Sequence, residues 1–187
     1  MLLKKVIVSG VILASSIVAN AGGAIDFSLA DDSIRIEHDA VLVGTGAHFT
    51  TGYLYNEANS SWGLTAGFNA VDASMANQDL IGGVGFKAIL ISSEVDDFAL
   101  ATGVGGFIRY QPYVLNGLGI EGDAYVAPSI LSFGELNYVH ELLARVTYQV
   151  LPQARIFVGY YDVRGNYNAR NNVEIDSTFH VGFRMAY

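Results

Sequence analysis

The chain has 187 residues, 51% of them hydrophobic, with 21 glycines, 11 tyrosines, no cysteine and a formal net charge of −8. That acidic balance excludes nucleic acid as a partner, because phosphates need a basic surface. The lack of cysteine excludes disulfides and a cysteine-linked lipid anchor, so stability must come from packing and pairing alone.

Met1 to Lys5 is a short basic head, followed by an apolar run from Val6 to Val18 and the small-x-small triplet Ala19-Asn20-Ala21. This is the layout of a cleaved secretory signal, with cleavage before Gly22. A transmembrane helix needs roughly 20 apolar residues, and here polar, strand-like sequence follows the run at once. Residues 22–187 then form one domain. Losing Lys4 and Lys5 from the 10 basic residues leaves 8 against 18 acidic ones, a net charge of −10.

From Gly23 onward the chain alternates with period two, the mark of strands with two unlike faces. Gly23–Ala30 aligns Ile25, Phe27 and Leu29; Asp31-Asp32-Ser33 interrupts it, and Ile34 and Ile36 resume in the opposite phase. Ala47–Asn56 aligns Phe49, Tyr53 and Tyr55, and Trp62–Ala73 aligns Trp62, Leu64, Ala66, Phe68 and Ala70. Leu80–Ile91, Phe98–Tyr110 and Leu118–Ala127 follow the same rule. Leu136–Val150 places Leu136, Tyr138, Leu142, Ala144, Val146, Tyr148 and Val150 on one face. After the turn at Leu151-Pro152-Gln153, Ala154–Tyr167 and Val173–Tyr187 make a last hairpin around Asn168–Asn172.

The final strand carries Phe179, Val181, Phe183, Met185 and Tyr187 on one uncharged face. His180, Gly182, Met185 and Tyr187 fit the assembly signal polar-x-Gly-x-x-apolar-x-aromatic that closes bacterial outer-membrane barrels. The strands run near the 9–11 residues that a tilted membrane strand needs. The fold class is therefore all-β, an antiparallel transmembrane β-barrel. An even count is required with both termini in the periplasm. Splitting the first segment at Asp31-Asp32 gives ten strands, and eight is the alternative.

With the apolar phase on lipid, the interior receives Lys87, Arg109, Arg145, Arg155 and Arg184 against Glu121, Asp123 and Glu141. Five of eight basic residues thus point inward from five strands. Two readings follow: a salt-bridged plug that holds a small barrel together, which we favour, and a charged constriction that filters solutes. Gly63, Gly67, Gly83, Gly85, Gly103 and Gly105 fall on the same inner face, so that long side chains from the opposite wall, Tyr125, Phe157 and Tyr161 among them, have room to cross. The outward loops are assigned Asp31, Asp32, Glu57, Glu94, Asp96, Asp97, Glu135, Glu174 and Asp176. These are ordinary solvated tips or partners of divalent cations held by lipopolysaccharide; no calcium-loop spacing is present, so no dedicated metal site is expected. Pro128–Glu135 holds Ile130, Leu131 and Phe133, which either fold over the barrel mouth or touch lipid or a partner. Ser129, Ser132, Glu135, His140 and Glu141 make the best enzyme-like cluster, but His140 shares the lipid-facing phase and Glu141 the opposite one.

Gly119-Ile-Glu-Gly-Asp-Ala-Tyr125-Val-Ala-Pro128-Ser-Ile-Leu131-Ser-Phe133-Gly, with Leu151-Pro-Gln-Ala-Arg155-Ile-Phe-Val-Gly-Tyr160, resembles the YfaZ-like outer-membrane proteins. The likeness covers most of the mature chain. It implies a small outer-membrane barrel and brings no catalytic residue and no substrate. The expectation is thus a small integral outer-membrane barrel with a structural or narrow-channel, porin-like role, without cofactor or catalytic residues. Its partners are outer-membrane lipids, lipopolysaccharide and the barrel-assembly machinery; no oligomeric state follows. The alternatives are a lipid-modifying hydrolase using Ser132 and His140, and a soluble periplasmic barrel with its aromatic face turned inward around an apolar ligand.

Overall fold

The computed structural model describes residues 22–42, 45–72, 79–96 and 98–187; the segment 1–21 with its cleavage point, Ala73 and Asp97 lie outside them. In chain order the strands are β1 (Gly23–Leu29), β2 (Ser33–Leu42), β3 (Ala47–Asn56), β4 (Ser61–Asp72), β5 (Leu80–Ser92), β6 (Ala99–Tyr110), β7 (Leu118–Ala127), β8 (Ser132–Phe133), β9 (Leu136–Leu151), β10 (Ala154–Tyr167) and β11 (Val173–Ala186). All but β8 join one antiparallel ring of ten, in chain order, closed by β1 against β11. The two-residue β8 sits in the β7–β9 connection and pairs with the start of β6. Splitting the first segment at Asp31-Asp32 is therefore right: those two residues form the β1–β2 turn.

Closure follows from the backbone. In hydrocarbon every amide and carbonyl needs an internal partner, and only a ring without edges supplies one to each strand. The seam pairs Ala24 with Ala186 through Leu29 with Val181. Beyond it, Gly23 N donates to Tyr187 O at 3.1 Å and Tyr187 N donates to Gly23 O at 2.9 Å. The Tyr187 ring stacks on His38 of β2, with its hydroxyl 2.6 Å from Nε2. The terminal residue thus ties three strands at the rim.

The alternation resolves as read. Phe179, Val181, Phe183 and Met185 are all exposed on the outer wall, while His180 and Arg184 are buried. A row of apolar residues in register, Ile120, Val146, Val158, Val181 and Leu29, crosses five strands of that wall. An inward-facing aromatic set around an apolar ligand would need the reverse phase.

Two predicted placements change, the first of them at a bulge. The β9–β10 register jumps from Tyr138 opposite Asn166 to Leu136 opposite Tyr167, which turns Leu136 into the interior at 2% exposure. Asp176, expected in an outward loop, lies within β11 on the same inner phase as His180 and Arg184 and is buried. It accepts hydrogen bonds from Ser33 Oγ at 3.1 Å and Asn56 Nδ2 at 2.7 Å.

The half of the lumen away from the termini is an apolar core. Leu54, Ile89, Ile91, Leu136, Val139, Leu143, Tyr161, Val163, Tyr167, Val173 and Ile175 meet there with three small alanines. The Pro128–Glu135 loop does not fold over this mouth. Ile130 projects at 84% exposure and Phe133 lies exposed beside Leu100 of β6, so strand side chains do the filling.

Two outcomes test this architecture. Val146→Arg, in the apolar row on the lipid face of β9, should lower unfolding stability in lipid vesicles by about 2–4 kcal/mol, the cost of a cation near the bilayer midplane. Tyr187→Asp should reduce the heat-modifiable, folded fraction recovered from membranes; an unchanged fraction would remove the terminal motif as an assembly signal.

Candidate functional site in the lumen

All eight predicted lumenal residues lie on the inner face, and their ion pairs run both to the next strand and across the ring. Nearest the apolar core, Lys87 of β5 reaches Glu141 of β9, Nζ to Oε1 at 2.9 Å. Arg35 of β2 meets the same oxygen at 3.5 Å and also binds its neighbour Glu37. Tyr125 of β7 donates to Asn69 Oδ1 of β4 at 2.7 Å. Each cation also lies over a ring: Lys87 Nζ is 4.2 Å from the Tyr125 centroid and Arg35 Cζ is 4.3 Å from that of Tyr161. An attraction of this kind strengthens when the cation is desolvated.

Toward the termini a second cluster is centred on Glu121 of β7. Arg145 of β9 holds it at 2.7 Å and Arg184 of β11 at 3.0 Å, while Arg155 of β10 stands at 3.6 Å and Arg109 of β6 at 4.0 Å. Asp26 of β1 binds Arg184 through both oxygens, at 2.6 and 2.7 Å, and Arg145 at 2.8 Å. Asp39 of β2 takes Arg109 at 3.0 Å and His48 at 2.9 Å. Bidentate guanidinium–carboxylate pairs of this kind are strong and fix orientation. Together the contacts of this cluster link eight strands, β1, β2, β3, β6, β7, β9, β10 and β11, which are not all neighbours.

Asp26, Arg35, Glu37 and Asp39 were absent from the sequence-derived set. The signal was present: with Ile25 and Phe27 outward Asp26 must point in, and with Ile34 and Ile36 outward so must Arg35 and Glu37. Adding them and the buried Asp176 alters the charge balance. The inner face carries Arg35, Lys87, Arg109, Arg145, Arg155 and Arg184, six basic residues, against Asp26, Glu37, Asp39, Glu121, Asp123, Glu141 and Asp176, seven acidic ones. The excess of five basic over three acidic residues is thereby overturned.

The glycines serve a nearer purpose than crossing space. A Cβ on Gly83 would meet the Phe107 ring at 2.6 Å, and one on Gly182 the Phe157 ring at 2.6 Å. Both rings pack against a glycine of the adjacent strand, and they in turn carry the Arg109 and Arg145 guanidinium groups at 4.5 Å. Glycine is required there because the ring occupies the side chain's place.

The enzyme-like cluster disperses. Ser132 Oγ donates to the Pro128 carbonyl at 3.1 Å, and Glu141 belongs to the lumen. His140 faces the outer wall and pairs with Asp162 at 3.0 Å, a partner the sequence reading did not name. Among the described residues no group of three or more histidine or carboxylate side chains is placed to hold a metal ion.

The family model described as YfaZ precursor matches residues 3–187. The chain belongs to the YfaZ family. No curated protein matches it. Among solved structures, the outer membrane channel DcaP of Acinetobacter baumannii is similar at 8% identity and a TM-score of 0.45, over 87% of this chain and 54% of that one. The NanC porin is similar at 8% identity and a TM-score of 0.43, over 88% of this chain and 98% of that one. The YfaZ-family chain spans about half the length of the DcaP channel, and likenesses at this level carry no argument about role. Location follows from the wall itself: an even-stranded, closed antiparallel barrel with an apolar outer face is an outer-membrane barrel.

Removing one partner of a buried pair leaves an uncompensated charge. Glu141→Gln, which strands Lys87 and weakens the hold on Arg35, should therefore cost about 3–5 kcal/mol in urea unfolding. Glu174→Gln, which loosens only the outer-wall contact of Arg164, should cost about 0–1 kcal/mol.

Proposed function

We propose that this YfaZ-family protein is a plugged outer-membrane barrel with a structural role, and not an open porin. The observation that carries the reading is the filling of the lumen: an apolar core in one half continues into crossed salt bridges in the other. The interior cavities beside Arg35, Tyr161, Asp176 and Glu141 measure about 10 and 20 Å³. That is space for a single water at most, not for a hydrated ion. The near balance of inward charge favours a plug as well, since a selectivity filter relies on a surplus of one sign.

On this reading residues 1–21 are removed on export, a step that the family's description as a precursor supports. The termini lie in the periplasm, and the outer wall and rims meet lipid, lipopolysaccharide and the assembly machinery. On the same reading the barrel has no catalytic role, a view supported by Ser132 Oγ bonding its own loop while His140 pairs with Asp162 on the outer wall.

Planar-bilayer recording decides between plug and narrow channel. The plug gives no steady current from the unmutated barrel, and brief openings only when the core is thinned, as in Ile89→Ala with Ile91→Ala. A steady, ion-selective current through the unmutated protein would overturn the proposal.

A further inference from the structure

The terminal-side mouth of the lumen contains a surplus cation. Arg155 of β10 and Arg184 of β11 stand directly opposite each other in the ladder. Like charges in that position repel unless something negative lies between them. Arg184 is fully committed: Nε and Nη2 go to Asp26 and Nη1 to Glu121. Glu121 is in turn held by Arg145 at 2.7 Å. Arg155 is left with a 3.6 Å approach to Glu121 Oε1, longer than a hydrogen bond, and its side chain is 32% exposed. At this end of the lumen four guanidinium groups, of Arg109, Arg145, Arg155 and Arg184, meet three carboxylates, of Asp26, Asp39 and Glu121. Two buried polar atoms in the same region, Arg109 Nε and Thr147 Oγ1, have no hydrogen-bond partner. Buried polar groups are nearly always satisfied, so such orphans mark a missing partner.

We propose that this mouth is a binding site for a small oxyanion, seated on Arg155 and reached from the side of the termini. The exposed guanidinium supplies paired N–H donors, which suit phosphate and carboxylate oxygens. Arg184 and Arg109 add positive potential behind it. Gln149, opposite Arg155 on β9, forms the neighbouring wall; its Oε1 accepts from Gln111 Nε2 at 3.1 Å. The site is one of binding, not of passage, and stands whether or not the lumen conducts.

The test uses the folded full barrel in detergent and inorganic phosphate as the probe. Melting temperature is followed as phosphate replaces sodium chloride at constant ionic strength. The expected result is a saturable upward shift, lost in Arg155→Gln and kept in Arg164→Gln, a variant of the outer wall. A second variant, Gln149→Glu, sets a carboxylate facing Arg155. It should raise the melting temperature without phosphate and abolish the response to it. A phosphate shift no larger than that of chloride, a full response in Arg155→Gln, or a full response in Gln149→Glu would each overturn the site.

Discussion

The constraint on which everything else depends is that a backbone in hydrocarbon must pair with itself. It forces the ten strands into a ring and places the first strand beside the last. Once the ring is closed, period two has only one consistent reading. Lipid selects apolar side chains outside, and whatever remains goes into a lumen a few side chains wide. The lumen is therefore not designed independently of the wall. Each strand that presents Val146 or Val181 to lipid delivers Arg145 or His180 to the inside.

What the lumen does with those residues divides along its length. In the half away from the termini the inner positions are apolar too, and Ile91, Val139 and Ile175 pack there with almost no exposure. In the other half they are charged, and Glu121 and Asp26 act as hubs for arginines from strands that do not touch. A buried ion pair is weak evidence for stability in itself, because desolvation offsets most of its attraction. Its value here is in specification. A strand shifted by one residue would send Arg145 or Arg184 into lipid and leave Glu121 unpaired, so the network penalises wrong registers more than it deepens the right one.

Most of this was legible in the sequence, and the misses have physical causes. Strand number and phase could be read because apolar residues recur at every second position within each strand, from Ile25 of β1 to Met185 of β11. The charged half of the lumen was legible where one arginine stood in each apolar strand. It was missed in β1 and β2, where Asp26 and Arg35 stand in short segments on either side of the Asp31-Asp32 break. The apolar plug left a signal of a different kind: Ile89-Leu90-Ile91 and Leu142-Leu143 are apolar on both faces, which cancels alternation instead of producing it. Leu136 was misplaced because a bulge reverses phase, and no residue type announces one; Asp176 was assigned to a loop although it shares the phase of His180 and Arg184.

The outer wall bears on how the barrel sits in its membrane. Above Tyr160 and Phe179, whose rings lie 5.0 Å apart, the outward positions of β9, β10 and β11 turn polar. His140 pairs with Asp162, Asp162 with Arg164, and Arg164 with Ser177, which also meets the Tyr160 hydroxyl at 2.6 Å. Such a network is tolerable only where the hydrocarbon ends, since its members would be costly at mid-membrane. Tyr160 and Phe179 are then the upper aromatic girdle, and the Tyr187–His38 stack marks the opposite rim. The apolar core of the lumen lies largely level with the polar end of the wall. Where the lipid stops sealing the barrel from outside, packed side chains seal it from within.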